Sequence, residues 1–381
     1  TDELRDLESM TSGNTQNMIT ASDGGAVTLY TAGVAKFQTT SSGVDVTGRM
    51  AINDGNNNVL VGDNAGDALT SASNSVAIGK DALGTETTNS HNVAIGNSSM
   101  SSTELSAKNV AIGSNTLQNL TNSGSTDTYN VAVGYAAGED VTTGTQNTLI
   151  GGNAGDALTT GTSNIALGYR ALTTEDTGSR NVAIGDNSLA ALNYDGNGYN
   201  TAVGFYSGAA MTTGIQNTLI GALAGDSLAG GSQNVAVGMY ALSTEDTHGK
   251  NVAVGYSALV VQNAGADAYN TAVGYNAGGS VTTATANTLL GGLAGDAITT
   301  GFGNVAIGYN ALGAEDTGGT NVAIGHAALQ VLDTGSNSYS VAIGYDAGKA
   351  ITTGTLNTII GGDAGKTITT GTSNVLMGYE A

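Results

Sequence analysis

Few residues in this chain could carry out chemistry, and most of those recur at a fixed interval. Histidine occurs only at His91, His248 and His326, and no Ser/His/Asp arrangement is legible around them. The acidic pairs Glu175-Asp176, Glu245-Asp246 and Glu315-Asp316 return every 70 residues. Glycosidases hold two carboxylates several ångströms apart across a substrate groove. Neighbours on one turn do not provide that, so the pairs read as solvated turns. Asp54-Gly55-Asn56-Asn57-Asn58 and Asp195-Gly196-Asn197-Gly198 are oxygen-rich segments of the kind calcium favours, which leaves a structural calcium ion as one reading. The chain lacks the Gly-Gly-x-Gly-x-Asp pattern of calcium-binding β-rolls and a full EF-hand loop. Cysteine is absent, which removes thiolate metal sites, Cys nucleophiles and disulfides. No catalytic, cofactor-binding or metal-ligating residue is assigned.

Aromatic residues are more regular. Tyr135, Tyr169, Tyr256, Tyr275, Tyr309, Tyr345 and Tyr379, with Phe205, each follow the same glycine of a repeated motif. Rows of rings on a rod can stack on sugars or pack over neighbouring rungs. Tyr135, Tyr169, Tyr275, Tyr309 and Tyr345 are therefore candidate glycan contacts. Recurrent Thr-Thr pairs suggest a flat ice-binding face, an idea weakened by their position in glycine-interrupted turns.

The elements that position these residues come from one repeat. Asn-Val-Ala-Ile-Gly and its variants occur 19 times between Asn58 and Gly378, at intervals of 17 residues with single steps of 21 or 19. A second period of 70 residues groups four coils into a block: Asn147, Asn217, Asn287 and Asn357 each open the Asn-Thr-Leu/Ile variant, and Tyr129, Tyr199, Tyr269 and Tyr339 each close the longer coil. Fixed periods of this size specify a solenoid, here an all-β solenoid or β-roll. The repeat is carried by Asn147, Ile150 and Gly151, and again by Asn217, Ile220 and Gly221, by Asn287, Leu290 and Gly291, and by Asn357, Ile360 and Gly361. Stacked Asn amides can hydrogen-bond as a ladder along the rod. The invariant Gly implies positive φ or a backbone approach too close for a Cβ. Short strands and turns are expected after it, as in Tyr309-Asn310-Ala311-Leu312.

Strand alternation puts the second and fourth motif positions on one face, read here as the coil interior. The third position, Ala or a larger apolar residue, then forms an outward greasy stripe larger than soluble monomers expose. That stripe implies a parallel homo-oligomer, with a homotrimer expected. Residues 51–381 form the repeat shaft and residues 1–50 an N-terminal connector. The connector is expected to hold a short coiled-coil stub around Leu4, Leu7 and Met10, and strands at Val27–Tyr30 and Ala35–Gln38.

The formal charge of −21 argues against nucleic acid and against an anionic membrane surface. No apolar run approaches bilayer-spanning length, and no signal peptide is visible.

Asn304-Val-Ala-Ile-Gly-Tyr-Asn-Ala-Leu312 and Asn270-Thr-Ala-Val-Gly-Tyr-Asn-Ala-Gly278 resemble the repeats in tail fibres of marine and cyanobacterial phages. The segments from Gly24 to Tyr30 and from Ser41 to Gly48 are similar to the fibre segments that precede such repeats. Asn74 to Gly79 is also similar to the head repeats of trimeric autotransporter adhesins, whose coils are shorter. The resemblance implies a homotrimeric structural shaft in a virion tail fibre, outside the cell, that extends a device for attachment to a host receptor or polysaccharide. A self-cleaving chaperone that often ends such fibres is missing here, and the stop at Ala381 partway into a coil reads as truncation or cleavage. The alternatives are a cell-surface adhesin or matrix filament and, further off, a polysaccharide depolymerase. The expected role is not enzymatic.

Overall fold

The computed structural model describes residues 17–21, 27–31, 34–40, 43–46 and 55–381 apart from residue 89. Contacts divide the chain into two units, Thr1–Gly55 and Asn56–Ala381. The first contains an antiparallel meander of β1 (Asn17–Ala21), β2 (Val27–Thr31), β3 (Val34–Thr40) and β4 (Gly43–Val46), paired in that order. Leu29 lies opposite Phe37, so the two strands read from the sequence are β2 and β3. The helical stub expected around Leu4, Leu7 and Met10 lies outside the described residues.

The second unit is a parallel β-solenoid. Each copy of the motif supplies one three-residue strand, from Val59–Val61 to Val375–Met377. Each strand pairs in register with the strand of the next coil, as Thr148-Leu149-Ile150 pairs with Ile165-Ala166-Leu167. With parallel strands about 4.8 Å apart, 18 such steps make a stack about 86 Å long. The 21-residue coil adds a separate strand, Thr121–Asp127, which pairs in parallel with Glu104–Ala107 of the coil before it.

The two faces of the strand are the reverse of the expectation. The third motif position points inward: Ala132, Leu149, Ala166 and Ala183 are wholly buried, as are their equivalents along the stack apart from Leu60 and Leu376 in the terminal coils, which are partly buried. The second and fourth positions are half-buried or exposed. The first position explains the inversion. Asn147, Asn164, Asn217 and Asn287 are buried at the same depth as the third-position alanines, so positions one and three share the interior. A polar residue can sit there because its amide bonds the backbone on both sides, although Nδ2 of Asn251 and of Asn321 is buried without a partner. The backbone N–H of Asn164 donates to Oδ1 of Asn147 (2.9 Å), while Nδ2 of Asn147 donates to the carbonyl of Gly161 across its own coil (2.8 Å). The ladder therefore runs mainly from side chain to backbone rather than from amide to amide. It supplies partners for backbone groups that would otherwise be buried and unpaired.

The interior is narrow, and in most coils its volume is balanced within the coil; Ala132, Ala202, Ala272 and Ala342 instead stand with Gly138, Gly208, Gly278 and Gly348, where side chains of the neighbouring coils fill the space, as Leu149 and Leu117 do at Gly138. Where the third position is large, as at Leu149, Leu219 and Leu289, the residue six places on is Gly155, Gly225 or Gly295; where it is Ala166 or Ala183, that residue is Leu172 or Leu189. A Cβ on Gly155 would lie 2.9 Å from Cδ2 of Leu149, well inside contact distance. Close packing of this kind tolerates neither overfilling nor voids.

Beyond the motif glycine the chain forms turns rather than the short strands expected there. Alternate residues adopt the left-handed region, as at Asn310 (φ 55°) and Leu312 (φ 52°). The motif glycine itself is fixed by proximity as well as conformation. Gly221 has φ 136°, and a Cβ there would sit 2.6 Å from the carbonyl carbon and oxygen of Gly238 in the next coil.

Candidate functional site

The outward half of each strand forms one continuous surface. Position two is Val, Thr or Ile and position four is Ile, Val, Leu or Met in every coil, with no charged residue among them. Ile220 is 40% exposed and Leu167 42%. The stripe is about 86 Å long and roughly 10 Å wide, a footprint of about 860 Å². That exceeds the roughly 300–600 Å² apolar patch of a typical monomer and matches the roughly 800 Å² each partner contributes to a standard interface. The greasy stripe inferred from the sequence exists, but Ile150, Ile220, Leu290 and Ile360 build it, while the alanines once assigned to it fill the core.

Aromatic residues border the stripe on both sides. Before the strand stand Tyr129, Tyr199, Tyr269 and Tyr339, all exposed. Three of them lie under a cation from the preceding coil: Lys108, Arg180 and Lys250 sit 5.3, 5.6 and 5.1 Å from the ring centroids. Lys250 also pairs with Asp267 (2.5 Å), which raises the lysine pKa and lowers that of the carboxyl. After the strand stands the row that contains Tyr135, Tyr169, Tyr275, Tyr309 and Tyr345. All five are exposed, and several stack along the rod, Tyr256 on Tyr275 at 5.6 Å and His326 between Tyr309 and Tyr345 at 5.7 and 5.0 Å.

The acidic pairs are not solvated turns. Glu175, Glu245 and Glu315 are wholly buried. Each stands eleven residues after its motif Asn, the position that Leu158, Leu228 and Ile298 occupy in neighbouring coils, so each is a carboxylate in a core slot. Repeat alignment carries this signal, whereas the local Glu-Asp pair conceals it. At these three positions the acid is matched to the coil above, a 19-residue coil whose inserted loop has backbone donors to satisfy; Glu86, buried at the same motif position under a 17-residue coil, accepts from the N–H groups of Thr87 and Thr88. Oε1 of Glu175 accepts from the N–H of Gly178 (2.7 Å) and Oε2 from the N–H of Tyr194 (3.3 Å) in that loop. Glu245 accepts from His248 and Ala264 in the same way, and Glu315 from Gly318 and the Thr334 hydroxyl. Burial raises all three pKa values, and the backbone donors oppose it.

Among the described residues, these acids also define two groups of side chains that could hold a cation: Glu245, Asp246 and His248, and Glu315, Asp316 and Asp333, with ligand atoms within 4.8 Å of one another. In each, the buried glutamate is already committed to backbone or hydroxyl donors. The oxygen-rich Asp195-Gly196-Asn197-Gly198 segment named from the sequence is the inserted loop itself, where Thr177 donates to Asp195 (2.7 Å). The other calcium candidate is described only from Gly55 onward.

Fold and surface together define a parallel β-solenoid with an uncharged apolar stripe edged by aromatic rows. Comparison with known proteins adds no family to that description: no family model, no curated protein and no solved structure matches the chain.

Proposed function

We propose that the chain is a structural fibre shaft that assembles as a parallel homotrimer, with the three apolar stripes turned toward a common axis. The observation that carries this reading is the stripe. Its two outward positions are uncharged in all 19 copies of the motif, although the chain carries a net charge of −21. A straight apolar ridge about 86 Å long with a 4.8 Å rung spacing is covered best by another rod of the same spacing, which a second copy provides at every rung. Parallel copies around an axis along the rod meet rung to rung, so the 70-residue pattern coincides in all three.

The tail-fibre resemblance supports placement on a virion, outside the cell, where the shaft extends a device that attaches to a host receptor or surface polysaccharide. The role is mechanical and adhesive rather than catalytic. The regular coils, with insertions of only two or four residues, favour it over a depolymerase, which needs a groove with separated carboxylates. A cell-surface adhesin or matrix filament is the second reading, favoured by the Asn74 to Gly79 resemblance. Immunogold labelling of the source culture with an antibody to this chain tests the choice. Label along virion tails is expected, and label confined to the cell envelope would overturn the viral reading in favour of the adhesin.

A further inference from the structure

The aromatic row after the motif glycine is interrupted at regular places, and we infer that three of these gaps are slots for a pyranose ring of a neutral glycan. Within the row there is a filled example of what a gap can hold. His326 lies between Tyr309 and Tyr345, one coil from each, with interplanar angles of 23° and 13°. One coil below Tyr309 the equivalent position is Gly292, and one coil below that is Tyr275. The slot between Tyr275 and Tyr309 therefore has the same height, two rungs or about 9.6 Å, with no side chain in the middle. A Cβ on Gly292 would lie 3.5 Å from Cδ2 of Tyr309, so the upper ring reaches over the bare glycine. Tyr275 and Tyr309 remain 61% and 55% exposed.

The arrangement repeats at Gly152 between Tyr135 and Tyr169, and at Gly362 between Tyr345 and Tyr379. Tyr169 and Tyr379 stand 3.4 and 3.5 Å from a Cβ placed on those glycines. The second block lacks the slot. Phe205, Ala222 and Met239 occupy the three positions, and Phe205 is tilted onto Tyr206 at 4.5 Å.

Three features select the occupant. Ring faces are electronegative and attract the electropositive C–H face of a pyranose. The charge of −21 disfavours phosphate-bearing bases and acidic sugars, which leaves neutral glycans. The three slots lie on one line along the solenoid, about 38 Å and about 19 Å apart by rung count, which suits a polymer of repeated rings. This inference deepens the fibre-shaft reading by naming what the shaft touches.

Calorimetric titration of the whole chain with cellohexaose, maltohexaose and chitohexaose tests it. At least one of the three is expected to bind. A variant carrying Gly152→Tyr, Gly292→Tyr and Gly362→Tyr is expected to weaken that binding at least tenfold without lowering the thermal midpoint, because Tyr256 already occupies this position between filled rungs. A second variant with Tyr135→Ser, Tyr275→Ser and Tyr345→Ser removes one wall from each slot and is expected to do the same; Ser114 shows that the position accepts serine. No binding of any hexasaccharide, or a loss of less than tenfold in whichever variant folds, would overturn the inference. The mass of the assembly in solution is read separately, so failure of the slots and failure of the trimer are distinguishable.

Discussion

The inward and outward faces of the same three-residue strand place opposite demands on their side chains. Inward, Asn217 and Leu219 have every polar group bonded and every gap filled. Outward, Thr218 and Ile220 touch solvent on a surface that only a partner would cover. The inner face can thus be understood within one chain, whereas the outer face is the surface that the proposed assembly would cover. This explains why the inner face in most coils varies in compensated pairs, Leu149 with Gly155 and Ala166 with Leu172, while the outer face varies freely among apolar residues and threonine.

That contrast can be tested from its strongest element downward. Gly221→Ala is expected to be the most damaging single change, because its Cβ would meet the backbone of Gly238 at 2.6 Å in a region of φ that alanine resists. A loss of about 4 kcal/mol or more is expected in chemical denaturation. Leu219→Ala empties a wholly buried site and should cost about 3 kcal/mol. Recovery of part of that loss by adding Gly225→Ala would confirm the paired filling of the interior, since Leu219 Cδ2 is among the atoms that a Cβ on Gly225 would strike, at 2.9 Å. Asn217→Ala leaves the N–H of Asn234 and the carbonyl of Gly231 without their side-chain partner, at a cost of about 2 kcal/mol. Ile220→Thr, on the outward face, should change the stability of the isolated chain by less than about 0.5 kcal/mol. An equal loss at Ile220 and Leu219 in monomeric material would abolish the distinction between the faces.

The buried acids give the contrast a pH dependence. Glu175, Glu245 and Glu315 have pKa values raised by burial above the ordinary carboxylate value. The folded state therefore holds their protons more tightly than the unfolded chain does. Their contribution is greatest at or below the unfolded pKa and is lost as pH rises through the folded one. The thermal midpoint should fall by a few degrees between mildly acidic and neutral pH. Glu139 and Asp296 act with the same sign, and Asp127 and Asp267, whose pKa values are lowered by Lys108 and Lys250, act with the opposite sign. Replacing Glu175, Glu245 and Glu315 with glutamine should flatten the slope, and an unchanged slope would show that they do not set it.

The repeat made the coil length, the in-register strands and the fixed glycine legible before any coordinates. Which face was inner was not legible, because the large apolar residues at positions two and four read as the interior and the burial of Asn at position one is not apparent from its type. Asn at the first position looks like a surface residue, and only the carbonyl fourteen residues ahead, which its Nδ2 reaches, shows why it is buried. The glutamates were misread for the same reason: their donors lie on an inserted loop nineteen residues further along the chain. Polar groups satisfied by the next coil are hard to recognise in linear sequence, because the stacking that satisfies them is the fold itself. The aromatic row was visible, whereas its gaps became meaningful only when His326 was found sandwiched in the equivalent place.

The central claim, that the outward stripe is covered by copies of the same chain, is tested most directly by multi-angle light scattering on the purified protein at micromolar concentration. The account predicts a particle of three chain masses, dissociated when Ile150, Ile220 and Ile360 are together changed to Lys. A wild-type particle of one chain mass would contradict it.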